Sequence, residues 1–289
     1  MSLIIGSAQF GLDYGISNNQ GRVAKHEVKK ILELAEKNNI NEIDTAINYG
    51  SSQSIIGSIN SSIKVSSKLP LIDLKPETIE KNLIEITIDS LNTLKRSYLK
   101  TLYLHNPDQL FELHGNLLYE NLQKLKLDGL IKAIGISVYD PTQLNNLIKN
   151  FDFDVVQIPY NLIDHRFATN SLLDRLVQKN IEINCRSIFL QGLLLMKFND
   201  IPKKFSRWNF IFRRWHDWLH DNNIDPVHAC ILAAKENKQI NNLVIGVQTA
   251  NQLKHIINFY SMANCSSIKL PIIQSDDSDL VNPSMWSSL

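Results

Sequence analysis

The sequence predicts a single (β/α)₈ barrel over residues 1–289, with an extended loop and helical segment after the seventh strand. Three observations predict it. Eight short runs dense in Val, Ile and Leu recur along the chain, as parallel strands buried on both faces require. Longer stretches with apolar residues at helical spacing separate them. The turn after the first run reads Gly6-Ser7-Ala8-Gln9-Phe10-Gly11. That is not the GxGxxG of a dinucleotide-binding doubly wound sheet, so this alternative is set aside.

The strand-like runs fall at residues 3–8, 42–46, 63–68, 101–105, 133–137, 154–159, 181–187 and 243–247. Between them, Val28, Ile31, Leu32 and Ala35 sit at i, i+3, i+4 and i+7, and so do Leu253, Ile256, Ile257 and Tyr260. Leu118, Leu122 and Leu125 share one helical face, as do Leu144, Leu147 and Ile148. Asp140-Pro141 and Asp225-Pro226 read as helix starts, with Asp as cap and Pro in the first turn. Strands alternating with helices over this count and length specify a barrel. No repeat or low-complexity linker divides the chain.

Composition narrows the function classes. The chain has 289 residues, 44% of them hydrophobic, and a net charge of +1. The hydrophobic share suffices for a large core. The near-zero charge gives no argument for nucleic acid or a membrane surface. No apolar run approaches the roughly 20 residues that span a bilayer, and the N-terminal stretch lacks the pattern of a signal peptide. Cys185, Cys230 and Cys265 are scattered with no CxxC spacing, so neither a disulfide framework nor a metal site is expected, and a cytoplasmic setting fits.

Four polar residues stand out because they lie at or just past the ends of successive strand runs. Asp44 and Tyr49 belong to the stretch Ile43-Asp44-Thr45-Ala46-Ile47-Asn48-Tyr49-Gly50, Lys68 ends the third run, and His105 ends the fourth before Asn106-Pro107-Asp108. In a barrel such ends meet at one mouth. A free phenol titrates near ~10, and a lysine ammonium beside it would lower that value. A carboxylate would hold the lysine in place, and a histidine could donate to a substrate oxygen. Together these make a proton donor and an electrophilic pocket for a carbonyl. Taken singly, each has a blander role: Asp44 as a helix cap, Tyr49 as a packed aromatic, Lys68 as a solvated lysine, His105 as a core histidine. Their joint order and placement favour the catalytic role. His165, His216 and His228 are read as structural. Tyr14 and Asn48 are equally compatible with lining a pocket or filling a loop.

In these four positions the sequence resembles the aldo-keto reductase family, whose pattern is DTAxxYG, then a Lys at the next strand end, then a His in an LHxPD-like turn. The resemblance extends from about residue 4 to about residue 260. It implies hydride transfer from NADP(H) to an aldehyde or ketone, with Tyr49 as acid/base, Asp44 and Lys68 tuning it and His105 orienting the carbonyl. It also implies cofactor contacts at Ser137, Gln157, Arg186, Ser187, Gln191, Gly192, Gly246, Gln248, Thr249 and Gln252. The chain departs from the family pattern in three places. Val138 stands where an Asn is usual. Arg186-Ser187 replaces a Tyr-Ser pair, so that Arg186 would cover the nicotinamide. Gln248 is neutral where Arg or Lys commonly pairs with the 2′-phosphate, which leaves NAD(H) open beside NADP(H). The stretch Gln9-Phe10-Gly11-Leu12-Asp13-Tyr14-Gly15 resembles a bacterial subgroup found with surface-polysaccharide or nucleotide-sugar genes, which implies a sugar-derived carbonyl substrate.

Two other classes remain open at this stage: a cofactor-sensing protein on the same scaffold, and a barrel isomerase or lyase in which Lys68 acts without nicotinamide. The segment 197–218 carries Lys197, Lys203, Lys204, Arg207, Arg213 and Arg214 against Asp200 and Asp217. The expectation there is that Arg207, Arg213 or Arg214 binds a phosphate, weighed against a plain solvated helix face. Nothing in the pattern specifies an oligomeric state.

Overall fold

The Val/Ile/Leu runs pair in parallel, each with the next, and the last returns to the first. In the computed structural model, which describes residues 1–169, 171–263 and 268–289, the strands are β1 (Ser2–Gly6), β2 (Glu42–Asp44), β3 (Lys64–Leu69), β4 (Leu102–Leu104), β5 (Ile134–Ser137), β6 (Val155–Pro159), β7 (Glu182–Arg186) and β8 (Asn242–Gly246). They close as an eight-stranded barrel in chain order. Gly6 pairs with Asp44 on one side and Gly246 on the other, and Ser137 pairs with Gln157. These pairings bring the expected site residues to one rim.

The helical patterns fold as the periodicity requires. Helix Lys25–Lys37 buries Val28, Ile31, Leu32 and Ala35, helix Gly115–Leu127 buries Leu118, Leu122 and Leu125, and helix Pro141–Asn150 buries Leu144, Leu147 and Ile148. In helix Ala250–Met262 Leu253 and Ile256 are buried, while Ile257 and Tyr260 are only partly covered. Asp140 accepts from the N–H groups of Thr142 and Gln143, and Asp225 from that of Val227, so both Asp-Pro starts are true caps.

The first and second strands end two residues earlier than expected, and the fourth, seventh and eighth one residue earlier. Residues 8–11 leave β1 as one short helical turn, Ala8–Gly11. Ala46 and His105 lie past β2 and β4, in the loops that form the mouth. Cys185 and Cys230 are free and buried, and burial raises both thiols; Cys265 lies outside the described residues.

The barrel interior is partly polar. At its lower end Lys100 bonds Glu42, which also accepts from Ser66 at 2.7 Å. Asn242 donates to Glu182 at 2.9 Å and to Asn184 at 2.7 Å, and Asn184 donates to the Tyr103 hydroxyl at 2.9 Å. The Tyr103 ring lies beneath Lys68, 5.7 Å from its ammonium. Gly135 leaves room for that ring: a Cβ there would come within 2.5 Å of Tyr103 Cδ1. Gly135→Ala should therefore destabilise the fold by about 1–3 kcal/mol, read as a lower urea midpoint. An unchanged midpoint would mean that Tyr103 is free to move aside.

The segment after β7 runs through short turns into helix Asn209–Asp221. Trp215 is fully buried, donates to the Leu194 carbonyl at 3.0 Å and stacks on Trp218. The tail packs back on this segment. Trp286 is buried against the Phe205 ring at 5.0 Å. Arg207 pairs with Asp277 at 2.9 Å and Asp279 at 2.8 Å, and the Trp208 indole donates to Asp277 at 3.0 Å. No described helix is long and apolar enough to cross a membrane.

Candidate active site

At the carboxyl ends of the strands lies a cleft of about 230 Å³, open to solvent. That is the end at which barrel enzymes place their chemistry. Tyr49 forms part of its wall, together with Asp44, Gln157 and Arg186. The loop carrying Tyr49 lies hard against the turn after β1. A Cβ on Gly11 would fall 1.8 Å from the Tyr49 carbonyl oxygen, an approach that only glycine allows. Ser52 bonds Ser7 at 2.9 Å and Thr45 at 3.0 Å, fastening the two loops together.

Behind Tyr49 the Lys68 ammonium forms an ion pair with Asp44 and donates to the Thr45 carbonyl at 3.2 Å. Lys68 is 1% exposed and Asp44 5%, so neither charge is screened by water. Gln157 donates its amide to the other Asp44 oxygen at 3.0 Å. The ammonium lies 5.2 Å from the centre of the Tyr49 ring. His105 meets that ring edge-on at 6.0 Å between centroids. The structure thus brings all four expected residues together, with Tyr49 facing the cleft and Lys68 beneath.

The electrostatics differ from the expectation in one respect. Burial raises the Tyr49 phenol well above its ordinary range, Asp44 and Tyr139 push the same way, and the opposing cation is Arg186. Lys68 makes its hydrogen bonds to Asp44 and Thr45, and none joins it to Tyr49. Asp44 neutralises the very charge that was expected to lower the phenol. His105 is lowered to about 4, first by burial and then by Lys68, with Asp44 opposing and Arg186 adding to the fall. Its imidazole is therefore neutral near pH 7, with one N–H to give.

From Tyr49 the cleft continues past Arg186, Ser187, Gln191 and Gly192 on one side and Gly246 on the other, to Gln248, Gln252 and His255. Ser137, at the end of β5, and Thr249 do not line it. Thr249 instead caps helix Ala250–Met262 by accepting from Gln252 at 3.1 Å. The loop after β7 passes through the left-handed region at Ser187, Leu190 and Gln191, a kind of backbone strain that concentrates at functional sites. Gly192 follows at φ 92°, and a Cβ there would lie 1.9 Å from Ser17 Oγ. The Arg186 guanidinium lies 4.0 Å over the Tyr139 ring and donates to the Val138 carbonyl at 3.0 Å. Its Nε is buried with no hydrogen-bond partner.

Of the two loop residues that could line a pocket, Tyr14 does and Asn48 does not. The Tyr14 hydroxyl accepts from Gln191 at 3.0 Å, and burial pushes its phenol up to about 12. Gln9, Asn18 and His255 also line the cleft and were not singled out as site residues by sequence reasoning. Tyr139 supports Arg186 from the next loop but one. Conversely, Arg207, Arg213 and Arg214 do not border the cleft. Arg207 is committed to the tail, and Arg213 lies 5.4 Å over the Phe198 ring. The expected phosphate contact is thus unsupported, because the acidic tail neutralises the most suitable arginine. His165, His216 and His228 pack on Tyr160, Phe198 and Phe259. No group of three or more potential metal ligands occurs among the described residues.

Solved structures resemble this one over nearly the whole chain. A holo-form aldo-keto reductase from Bacillus halodurans shares 15% identity, with 96% of this chain and 94% of the other covered and a TM-score of 0.72. A glycerol dehydrogenase from Gluconobacter oxydans shares 19% identity, with 92% and 87% covered and a TM-score of 0.69. At such identities the likeness establishes the fold alone. Among curated proteins none matches the chain in sequence. The model of the aldo/keto reductase family, however, matches residues 2–275. That span holds the whole barrel together with Asp44, Tyr49, Lys68 and His105, and it places the chain in the aldo/keto reductase family.

Proposed function

We propose that the protein reduces an aldehyde or ketone to the alcohol, with a nicotinamide dinucleotide as hydride donor and Tyr49 as general acid. The observation that carries this is the stack of Tyr49 on a buried Lys68–Asp44 pair, at the wall of a long cleft, with a neutral His105 at its edge. Tyr49 is protonated at neutral pH and can give its proton to the oxygen that becomes an alkoxide, a stronger base than phenolate. Lys68 supplies positive charge beneath the phenolate left behind. Asp44 and Gln157 keep the ammonium in place, and His105 donates its N–H to the carbonyl oxygen and fixes its orientation.

A bound nicotinamide would supply the hydride. The lining suits such a group: Gly192 and Gly246 let Ser17 and Gln9 close against the cleft wall, and the unpartnered Arg186 Nε belongs to a residue that lines it. Gln157, Arg186, Ser187, Gln191, Gly192, Gly246, Gln248 and Gln252 line the cleft and are the residues we assign to holding it, while Ser137 and Thr249 lie outside its lining. Arg186 would cover the ring, and the start of helix Ala250–Met262 would take the far end. A sugar-derived carbonyl compound is the proposed substrate class; Gln9, Tyr14 and Gly15 of the opening motif line the cleft and support it. We further propose one domain over residues 1–289 and a cytoplasmic setting.

Titrating the purified protein with NADPH and NADH, with its tryptophans as reporters, tests the reading directly. Saturable quenching by at least one dinucleotide, followed by aldehyde-dependent oxidation of that dinucleotide, is the expected result. Binding without turnover of any carbonyl compound would instead favour a sensor. If neither dinucleotide binds, the reductase is refuted and Lys68 becomes the candidate centre of an isomerase or lyase.

A further inference from the structure

We propose that the chain selects NAD(H) over NADP(H), and that Glu27 and Gln248 set the choice. The proposal rests on the reductase reading. A dinucleotide that presents its nicotinamide to Tyr49 must extend along the cleft, so its adenosine end falls at Gln248, Gln252 and His255. The two dinucleotides differ only there, by a hydroxyl or a phosphate on the ribose 2′-carbon. A phosphate carries roughly −1.5 to −2 charges at neutral pH. It needs cations or free N–H donors at the place where it lies.

At that end the described residues line the cleft with no lysine or arginine, and three of the N–H donors there are already taken. Among the described residues Arg186 is the one Lys or Arg lining the cleft, and it stands at the Tyr49 end. Gln248 donates its side-chain amide to Asn18. Three donors at the helix start are occupied from within. The Gln248 N–H goes to Gln252 Oε1 at 2.7 Å, the Gln252 N–H to Thr249 Oγ1 at 3.1 Å, and the Ala250 N–H to Glu27 Oε1 at 2.8 Å. A protein carboxylate thus already holds the positive end of the helix, where an anionic ligand would otherwise be favoured. The Ala250 N–H in turn keeps the Glu27 carboxyl below its usual range, so it is ionised. Lys30 balances Glu27 only at the exposed rim, at 3.2 Å with 61% of its side chain exposed. A second carboxylate, Asp225, sits 3.2 Å from the His255 ring and takes up whatever charge that histidine offers.

A 2′-phosphate would enter a field of two carboxylates and displace bonds the protein has already made. A 2′-hydroxyl brings no charge and can donate to an oxygen acceptor. Acidic side chains near a ribose favour the unphosphorylated dinucleotide for this reason.

The experiment compares NADH with NADPH by tryptophan fluorescence. It also compares 5′-AMP with adenosine 2′,5′-bisphosphate by calorimetry, since these carry the same difference without the nicotinamide. The unmodified protein is expected to bind NADH about tenfold or more tightly than NADPH, and the adenosine pair in the same order. The double variant Glu27→Gln, Gln248→Arg keeps an acceptor for the Ala250 N–H and adds a cation. It should close or reverse the gap mainly by tightening NADPH. Equal or tighter NADPH binding by the unmodified protein overturns the inference and leaves the reductase reading standing. An unchanged gap in the double variant removes Glu27 and Gln248 as its cause. Failure of both dinucleotides to bind overturns the reductase reading and this inference with it.

Discussion

Tyr49→Phe is expected to fold, to bind the nicotinamide dinucleotide as the unmodified protein does, and to lose about 10²–10⁴-fold in carbonyl reduction. The variant removes one oxygen and changes almost nothing else. Among the described residues the Tyr49 hydroxyl makes no hydrogen bond, and it faces the cleft rather than the core. Its loss therefore leaves no buried group unpaired, and the change in stability should stay within about 1 kcal/mol. The ring remains, and with it the edge contact to His105 and the packing over Lys68. What disappears is the proton. His105 cannot replace it, because burial and the Lys68 charge hold the imidazole at about 4 and leave a neutral ring, a poor acid. A loss confined to kcat, with dinucleotide affinity unchanged, would mark a group that acts only in the transition state. Turnover near that of the unmodified protein would remove Tyr49 from the mechanism.

The parts of the molecule that were legible in the sequence are those written locally. Strands show as short Val/Ile/Leu runs and helices as apolar residues at i, i+3, i+4 and i+7, so the barrel and most buried helix faces could be expected. Asp44, Tyr49, Lys68 and His105 were legible because each stands at or near a strand end, and closure of the barrel then fixes their meeting. Side-chain pairings across long stretches of chain leave no such trace. Arg186 lies on Tyr139 and reaches the Val138 carbonyl. Gln157 turns its amide to Asp44, Gln248 to Asn18, and Glu27 reaches the Ala250 N–H. None of these has a period or a spacing. The basic segment misled for the same reason. Its charge could be counted, but the Asp277 and Asp279 carboxylates that neutralise Arg207 come from a tail about 70 residues away. The phenol misled more subtly. A lysine next to a tyrosine should lower it, but here that lysine is already paired, and burial decides the direction.

The same pairing makes Lys68 the position where chemistry and stability are most tightly joined. Lys68→Met has nearly the right length and keeps the side chain apolar where it passes the Tyr103 ring. It leaves Asp44 with the Gln157 amide as its remaining side-chain donor. Breaking a buried ion pair by removing one partner costs about 3–5 kcal/mol, because the other charge stays behind without compensation. The variant should show a loss of that order in chemical denaturation, together with a large fall in turnover. Those two effects alone could come from one damaged fold. Lys68→Met combined with Asp44→Asn separates them. With no charge left to strand, the neutral amide can still accept from Gln157, and much of the lost stability should return, as expected for residues that act as a coupled pair. Activity should not return, because the cation beneath Tyr49 is still missing. If the double variant is as unstable as the single one, the cost lies in packing against Tyr103 rather than in a stranded charge. If it recovers both stability and turnover, Lys68 has no role in the reaction.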